Sequence, residues 1–443
     1  MATKSHFSII GAGPVGLSAA LLLQQEGFPV TVYEKRPDPR KRQERGRSIN
    51  LALSDRGFRT LGLVGLEEHI KETASIPMQG RMVHPETGPA HLQPYSKEGK
   101  TIFSVSRSVL NDLLLDEAEK RNIPLHFEQA LSHLDFEGQY FSFGDTKMPY
   151  DSLLGCDGAF SVVRKAFKEF PHFHHQETKL DYAYKELTIQ AQQGTFALEK
   201  NALHIWPRKQ FMLIALPNLD GSFTCTLFLK ETGENSFASL QEAAHARTFF
   251  EEHFSDALSL MHQFDEEWAH YPISSLFMET CSPWNVAHNT LLLGDAAHAI
   301  VPFYGQGLNA GLEDVRLFLE YLQQGNAPST AMDLFQSSRQ KDTEAIGQLA
   351  LQNFIEMRDL VTDATFRTKG KMETTLKKWY PDRWQTQYEM VTFSHLPYSV
   401  ALAKGKDNQR KLDIILENEV LTENLAHDTM TEQDLYLLSL IVL

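Results

Sequence analysis

Ser8-Ile-Ile-Gly11-Ala-Gly13-Pro14-Val15-Gly16-Leu17 is the stretch on which the fold turns. His6 to Ile10 is short and apolar, as a buried strand requires. Pro14 to Glu26 carries Leu17, Ala20, Leu21 and Leu23 at helical spacing, and Pro29 to Tyr33 is rich in β-formers. The three glycines therefore sit between a strand and a helix, where a dinucleotide fingerprint belongs. Gly11 permits the tight turn, Gly13 admits a pyrophosphate to the backbone, and Gly16 lets helix and strand pack closely. The helix N-terminus offers free N–H groups and a partial positive charge to the phosphates. Glu34 follows Gly16 by eighteen residues and ends the second strand, where a carboxylate can accept both ribose hydroxyls of an adenosine.

The fingerprint alone does not separate FAD from NAD. A second motif far downstream does: Leu291-Leu-Leu-Gly294-Asp295-Ala-Ala-His298. A strand over Thr290 to Leu293 delivers Asp295 at its C-terminal end, the usual place for ligands in such sheets. There it can hydrogen-bond a ribityl hydroxyl, which nicotinamide cofactors lack. Gly305-Gln-Gly307-Leu308-Asn309-Ala-Gly311 then opens a helix running to Leu322. Its N-terminal dipole can face the pyrimidine edge of a flavin and stabilise the reduced ring. A third piece, Gly155-Cys-Asp157-Gly158-Ala-Phe-Ser161-Val-Val-Arg164, lies between them. Alone, each of these later motifs also reads as a structural turn.

The rest of the chain sets bounds. With 443 residues, 42% of them hydrophobic, a large core and two or three domains are expected. The net charge of −15 gives no attraction to phosphate backbones or anionic membranes, which argues against a nucleic-acid partner. Cys156, Cys225 and Cys281 are too few and scattered for a disulfide framework or a thiolate metal site, and a reducing cytoplasm fits them. No metal-ligand spacing, signal peptide or transmembrane run is evident. Apolar Leu435 to Leu443 is too short to span a bilayer and reads as a helix packed on the body. Residues 1–175 and 281–325 read as a Rossmann-like α/β domain, 176–280 as an inserted antiparallel β-sheet, and 326–443 as helical.

Together and in this order, the three glycine-containing motifs resemble the group A flavoprotein aromatic hydroxylases. The resemblance covers Ser8 to about Leu322. It implies that fold, with a bound FAD, NADPH as a transient co-substrate and O2 as oxidant. It also implies flavin contacts at Gly11, Gly13, Pro14, Val15, Gly16, Glu34, Lys35, Arg36, Ala52, Arg107, Asp157, Asp295, Gly307, Leu308 and Asn309.

Longer stretches resemble the branch of that family that hydroxylates L-kynurenine in tryptophan degradation. They include Arg45-Gly-Arg47-Ser-Ile-Asn-Leu-Ala-Leu-Ser54, Gly80-Arg-Met-Val-His84, Leu180 to Leu187, His204-Ile-Trp-Pro-Arg208, Phe211 to Asn218, Val301 to Asp314, Asn353-Phe-Ile-Glu-Met-Arg358 and Met390 to Ser394. Arg81 and Tyr95 flank a turn at Pro85 to Gly88, and a hairpin would put them diagonally on one face. An arginine fork and a phenol suit a carboxylate. The resemblance assigns them the substrate carboxylate and points Asn353 and Tyr388 at the amino-acid end. It assigns Leu203, Met212, Ile214, Leu216 and Phe228 to apolar walls, and Phe303 and Tyr304 to the loop beside the flavin. Residue types vary at the position of Tyr304, so the polarity of that wall stays open.

The implied chemistry is NADPH reduction of FAD, a flavin C4a-hydroperoxide and attack by the ring carbon ortho to the amine. The ring amine activates that carbon, so no catalytic acid or base is expected. His298 shows no obvious partner in the sequence and is not assigned a role. The seven basic residues between Lys35 and Arg47 read equally as a solvated loop or as an attractor of NADPH phosphates. A homodimer is a further expectation. Rival readings are a flavin hydroxylase of a phenolic acid, an NAD-dependent dehydrogenase and a non-catalytic flavin-binding redox sensor.

Overall fold

The computed structural model describes residues 4–41, 50–96, 98–360 and 363–442. Phe7–Ile10 is buried throughout and pairs in parallel with Ser152–Gly155 on one side and Val30–Tyr33 on the other. The sheet continues through Thr290–Leu292 to the short antiparallel Asn285–Val286 at one edge, and to Leu125–His126 at the other. Its central strands are apolar on both faces because helices cover both, as expected of a parallel sheet. Pro14–Gln25, Arg107–Lys120 and Gly307–Gln323 supply much of that cover, and all three helices meet the same core.

A second sheet has seven strands. Its order is Ile273–Ser282, His174–Ile189, Phe223–Lys230, Met212–Pro217, Ala202–Pro207, Gly80–Val83, His91–Pro94. The segment 176–280 does form an antiparallel sheet, but the sheet also recruits a hairpin from far upstream. Gly80–Val83 joins in parallel to Ala202–Pro207, with Arg81 opposite Leu203. One face packs on the helices Ala243–His253, Ser255–Leu258 and Phe264–His270 around Phe250, Phe254 and Trp268. The other face turns toward the first domain and the C-terminal helices.

From Pro328 onward the chain is helical. Pro328–Ile355 runs on into a π-helical turn at Glu356–Leu360, and Ala364–Trp379, Gln387–Thr392 and Tyr398–Leu416 follow. Glu432–Val442 is the expected terminal helix and buries Leu438 and Val442 in a small satellite core. Among the described residues, no helix is long and apolar enough to cross a membrane.

Candidate functional site

The glycine turn shows which of its residues the protein itself requires. A Cβ on Gly11, whose φ is +109°, would lie 2.5 Å from the Cys156 carbonyl oxygen. One on Gly16 would lie 2.1 Å from the Gly11 oxygen. One on Gly13 would meet nothing within 4 Å, because Gly13 faces an open groove. Packing demands the first and third glycines, and the second leaves room for a group the protein does not supply. The helix begins with Pro14 and has no side-chain cap, so its first N–H groups remain available along that groove.

Glu34 closes one end. Its Oε2 accepts the Ala12 amide at 3.0 Å, and its Oε1 accepts the Arg36 amide and Nε at 3.0 and 2.8 Å. Burial alone would raise its pKa, but Arg36 and these amides outweigh burial and hold the carboxyl below its usual range. Lys35 and Arg107 line the same groove, Arg107 at the start of the helix that Ser106 caps. Asp157 turns one oxygen to the Val162 and Val163 amides at 2.7 and 3.2 Å, while Oδ1 has no partner. Burial pushes its pKa up.

Asp295 stands where the groove meets a larger chamber and lines both. Its surface is open to that interior rather than to bulk water, so desolvation raises its pKa against the pull of His298 and Arg107. Gly294 before it has φ +60°, and Val15 packs within 3.2 Å of where its Cβ would be. Asp314 fixes this turn. Its Oδ2 accepts the Gly294 amide at 3.0 Å and His298 Nε2 at 2.6 Å, and its Oδ1 accepts Arg339 Nε at 2.8 Å. His298 thus has a partner, contrary to expectation, sixteen residues on and brought back by the helix. The pair braces the turn.

Asn309 is also more structural than expected. Its Nδ2 donates to the Ala52 and Gly305 carbonyls, both at 2.8 Å, and its Oδ1 accepts the Ser54 amide at 2.9 Å. This clamp holds the strand carrying Ala52 against the helix start, so Ala52, Gly307 and Leu308 can line the chamber.

The far end of the chamber is built on the second sheet. Arg81 opposes Gln93 in the hairpin, so Tyr95 lies diagonally from it, as the spacing predicts. Thr188, Thr224 and Leu216 share one row of the facing strands, Glu186, Thr226 and Ile214 the next, and Tyr184, Phe228 and Met212 a third. The face therefore grades from polar on one side to apolar in the middle and to Arg81 at the other edge. Leu203, Ile214, Leu216 and Phe228 line the chamber as expected. Met212 shares their face but is wholly buried in the core beyond them, with Phe303 and Phe354. Glu186 and Thr226, which line the polar side, had not been singled out.

Tyr95, Tyr388 and Tyr304 form a ladder of stacked rings, with centroids 5.2 and 5.7 Å apart and planes within 16°. Arg81 lies over Tyr388 at 5.1 Å and Tyr95 at 5.9 Å. The Arg81 Nε and the Tyr95 hydroxyl are buried without a hydrogen-bond partner of good geometry. Desolvation raises the pKa of all three tyrosines, so they are neutral donors near pH 7. Burial disfavours the Arg81 charge, but Tyr388, Tyr95 and Glu356 outweigh it and the guanidinium stays charged.

Asn353 does not reach this end. Its Nδ2 donates to the Phe303 carbonyl at 2.7 Å and contacts Met357 Sδ, bracing the loop that presents Phe303 and Tyr304. Met357, four residues on, lines the chamber instead. Of the basic loop, Arg36 is tied to Glu34, and Arg40 to Asp38, Asp116 and Glu119. Arg42 to Ile49, including Arg45 and Arg47, lie outside the described residues.

These residues fit a flavin dinucleotide: a glycine turn open only at Gly13, an acid at each end of the groove, and a chamber beyond Asp295 for a ring system. The family described as FAD binding domain matches residues 4–350. A Flavobacterium psychrophilum protein named kynurenine 3-monooxygenase is 38% identical, over 99% of this chain and 100% of its own. One of the same name from Dictyostelium discoideum is 40% identical, covering 94% and 98%. Among solved structures, 2-methyl-3-hydroxypyridine-5-carboxylic acid oxygenase superposes with a TM-score of 0.67 at 16% identity, over 81% of this chain and 94% of that one.

Proposed function

We propose, from the premise that this chain belongs to the kynurenine 3-monooxygenase family of FAD-dependent monooxygenases, that its chamber hydroxylates L-kynurenine to 3-hydroxykynurenine with NADPH and O2. The carrying observation is the pair of donors, Arg81 Nε and the Tyr95 hydroxyl, buried without a well-formed hydrogen bond at the far end of the chamber that Asp295 opens. A buried cation that forms no ion pair within 4 Å among the described residues is costly, and a substrate carboxylate supplies one.

Held along the groove by the glycine turn and Glu34 and at its inner end by Asp295, FAD would supply the redox chemistry, hydride acceptance from NADPH and transfer of one oxygen atom of O2 to the substrate ring. The chain's own work is placement. Arg81 and Tyr95 hold the carboxylate. Leu203, Ile214, Leu216 and Phe228 confine the aromatic ring and keep water from it. Asn353 fixes Phe303, which stacks on Phe354 at 4.1 Å and closes the wall beside the flavin loop. The substrate's amine already activates the neighbouring ring carbon, so the attack needs no protein base.

Product analysis tests this reading. Purified protein incubated with L-kynurenine, NADPH and oxygen should yield a product heavier by one oxygen atom, and the protein should absorb in the visible. Turnover of a hydroxybenzoate in place of kynurenine would overturn the substrate. Three separate buried thiols, Cys156, Cys225 and Cys281, support a reducing cytoplasm as its location. The charge of −15 supports the absence of a nucleic-acid partner, and a homodimer remains an expectation of the family resemblance.

A further inference from the structure

His84 ends the stretch Gly80-Arg-Met-Val-His84 and extends the pairing of that strand, its amide donating to the Ile205 carbonyl at 2.9 Å. Side chains alternate along a strand. Arg81 therefore shares the face of Leu203, which lines the chamber, and His84 the face of Trp206, which packs in the core under the helices. On that face His84 enters a chain of side-chain hydrogen bonds. Its Nδ1 meets Asp256 Oδ2 at 3.2 Å, its Nε2 meets His204 Nδ1 at 2.9 Å, and His204 Nε2 meets the Glu199 carbonyl at 2.8 Å. Trp206 Nε1 donates to the same Asp256 oxygen at 2.8 Å. The His84 ring lies on the Trp206 ring, with centroids 4.1 Å apart and planes within 16°.

The two ends of this chain fix its charge. A carboxylate and a carbonyl only accept, so each of the three bonds along the chain needs a proton from a ring. Two neutral imidazoles carry one ring proton each. The third bond therefore requires a third proton, and the two rings together hold a positive charge. His84 is where it sits, between the Asp256 carboxylate and the face of Trp206, which both favour a cation. Burial pushes His204 down to about 4, so that ring is neutral, donating to Glu199 and accepting from His84. Burial would raise Asp256, but His84 and Trp206 outweigh it and hold the carboxyl at about 2. Arg208 donates to the His84 carbonyl at 3.0 Å, and Glu86 and Glu199 in the flanking loops are further charges nearby.

We propose that His84, an imidazolium clipped between Asp256 and His204, is a positioning residue that sets Arg81 for the substrate carboxylate. This rests on the reading of the chamber as the kynurenine site. The strand that carries Arg81 has four residues and joins Ala202–Pro207 from more than a hundred residues away. Its outer neighbour, His91–Pro94, is largely exposed. Four residues give few ladder bonds to fix a register, and a slip of one residue would carry Arg81 to the opposite face. The clip opposes that slip, because it would turn the His84 ring away from both His204 and Asp256. A buried polar contact of this kind selects one arrangement where apolar packing tolerates several. His84 is not among the residues that line the chamber, so it acts through Arg81.

The test has two parts, both on the FAD-loaded full chain. Nitrogen NMR with isotope-labelled histidine, near neutral pH, counts the protons on the two rings, with signals assigned by their loss in single substitutions. Wild type should show protons on both nitrogens of His84 and on Nε2 alone of His204. Kynurenine and kynuramine, the analogue without a carboxylate, are then titrated against the flavin spectrum of wild type, His84→Phe, Asp256→Asn and the double variant. Phenylalanine keeps the stack on Trp206 and removes both donors. Asparagine keeps an acceptor for Trp206 and removes the charge. His84→Phe should weaken kynurenine roughly tenfold and leave kynuramine and FAD content unchanged. The double variant should bind kynurenine no more weakly than His84→Phe, because both changes open the same clip. A neutral His84 in wild type overturns the proposal whether or not any variant folds. So do an unchanged kynurenine affinity in His84→Phe, an equal loss for both ligands, which a general structural defect would give, and additive losses in the double variant. Wild type that binds the two ligands alike would refute the substrate instead, and the proton count would still decide the clip.

Discussion

Arg81→Met separates what the substrate end of the chamber does for binding from what it does for folding. Arg81 has no ion pair within 4 Å among the described residues; its charge is held by Tyr388 and Tyr95 and by Glu356 at longer range. Methionine keeps much of the aliphatic stem and removes the charge. The substrate carboxylate then loses a charged hydrogen bond made in a desolvated site, which costs about 1.5–3 kcal/mol, or roughly 10- to 150-fold in affinity. Stability should move little. The variant loses two cation–π contacts, worth up to about 2 kcal/mol when buried, but is relieved of a desolvated cation of similar cost. Kynurenine binding is read from the perturbation of the flavin spectrum, with kynuramine, which lacks the carboxylate, as the second ligand. Wild type should prefer kynurenine by about the factor above. Arg81→Met should bind the two alike, retain FAD and melt near the wild-type temperature. If the variant still discriminates between them, Arg81 is not the carboxylate anchor.

Gly13→Ala should fold and melt like wild type, because its Cβ meets nothing, yet bind FAD roughly tenfold or more weakly in apoprotein titration. Gly16→Ala should not give soluble, foldable protein, since its Cβ would sit 2.1 Å from a backbone oxygen. Asp314→Asn should cost about 3–5 kcal/mol and shed FAD, because it leaves Arg339 and His298 without their carboxylate and loosens the turn before Asp295. Wild-type melting would refute that. Burial, with Glu356 and Glu389 close by, pushes Glu373 up to about 7 from its ordinary 4.5. The folded state therefore holds this proton more tightly than the unfolded chain. Stability falls as pH rises from about 4.5 to 7, by at most roughly 3 kcal/mol. Glu373→Gln should accordingly melt higher than wild type at pH 8 and like it at pH 5; equal melting at both would count against the buried proton.

The sequence by itself determined the nucleotide end of this protein. A strand, a glycine turn, a helix and an acid at the right distance are local features, and their backbone geometry follows from residue types a few positions apart. The same holds for Asp295, at the end of an apolar strand, and for the diagonal of Arg81 and Tyr95, which a hairpin fixes. Tertiary structure alone decided which of these side chains line the chamber. Asn353, Asn309 and Met212 occupy the expected elements, but each is claimed by a neighbour distant in sequence: the Phe303 carbonyl, the strand of Ala52, and the core around Phe354. His298 has its partner only because a helix folds Asp314 back onto the turn. The upstream hairpin enters the second sheet through a parallel pairing more than a hundred residues away in the chain. Spacing cannot encode such a contact, because what selects it is the burial of whole faces against one another.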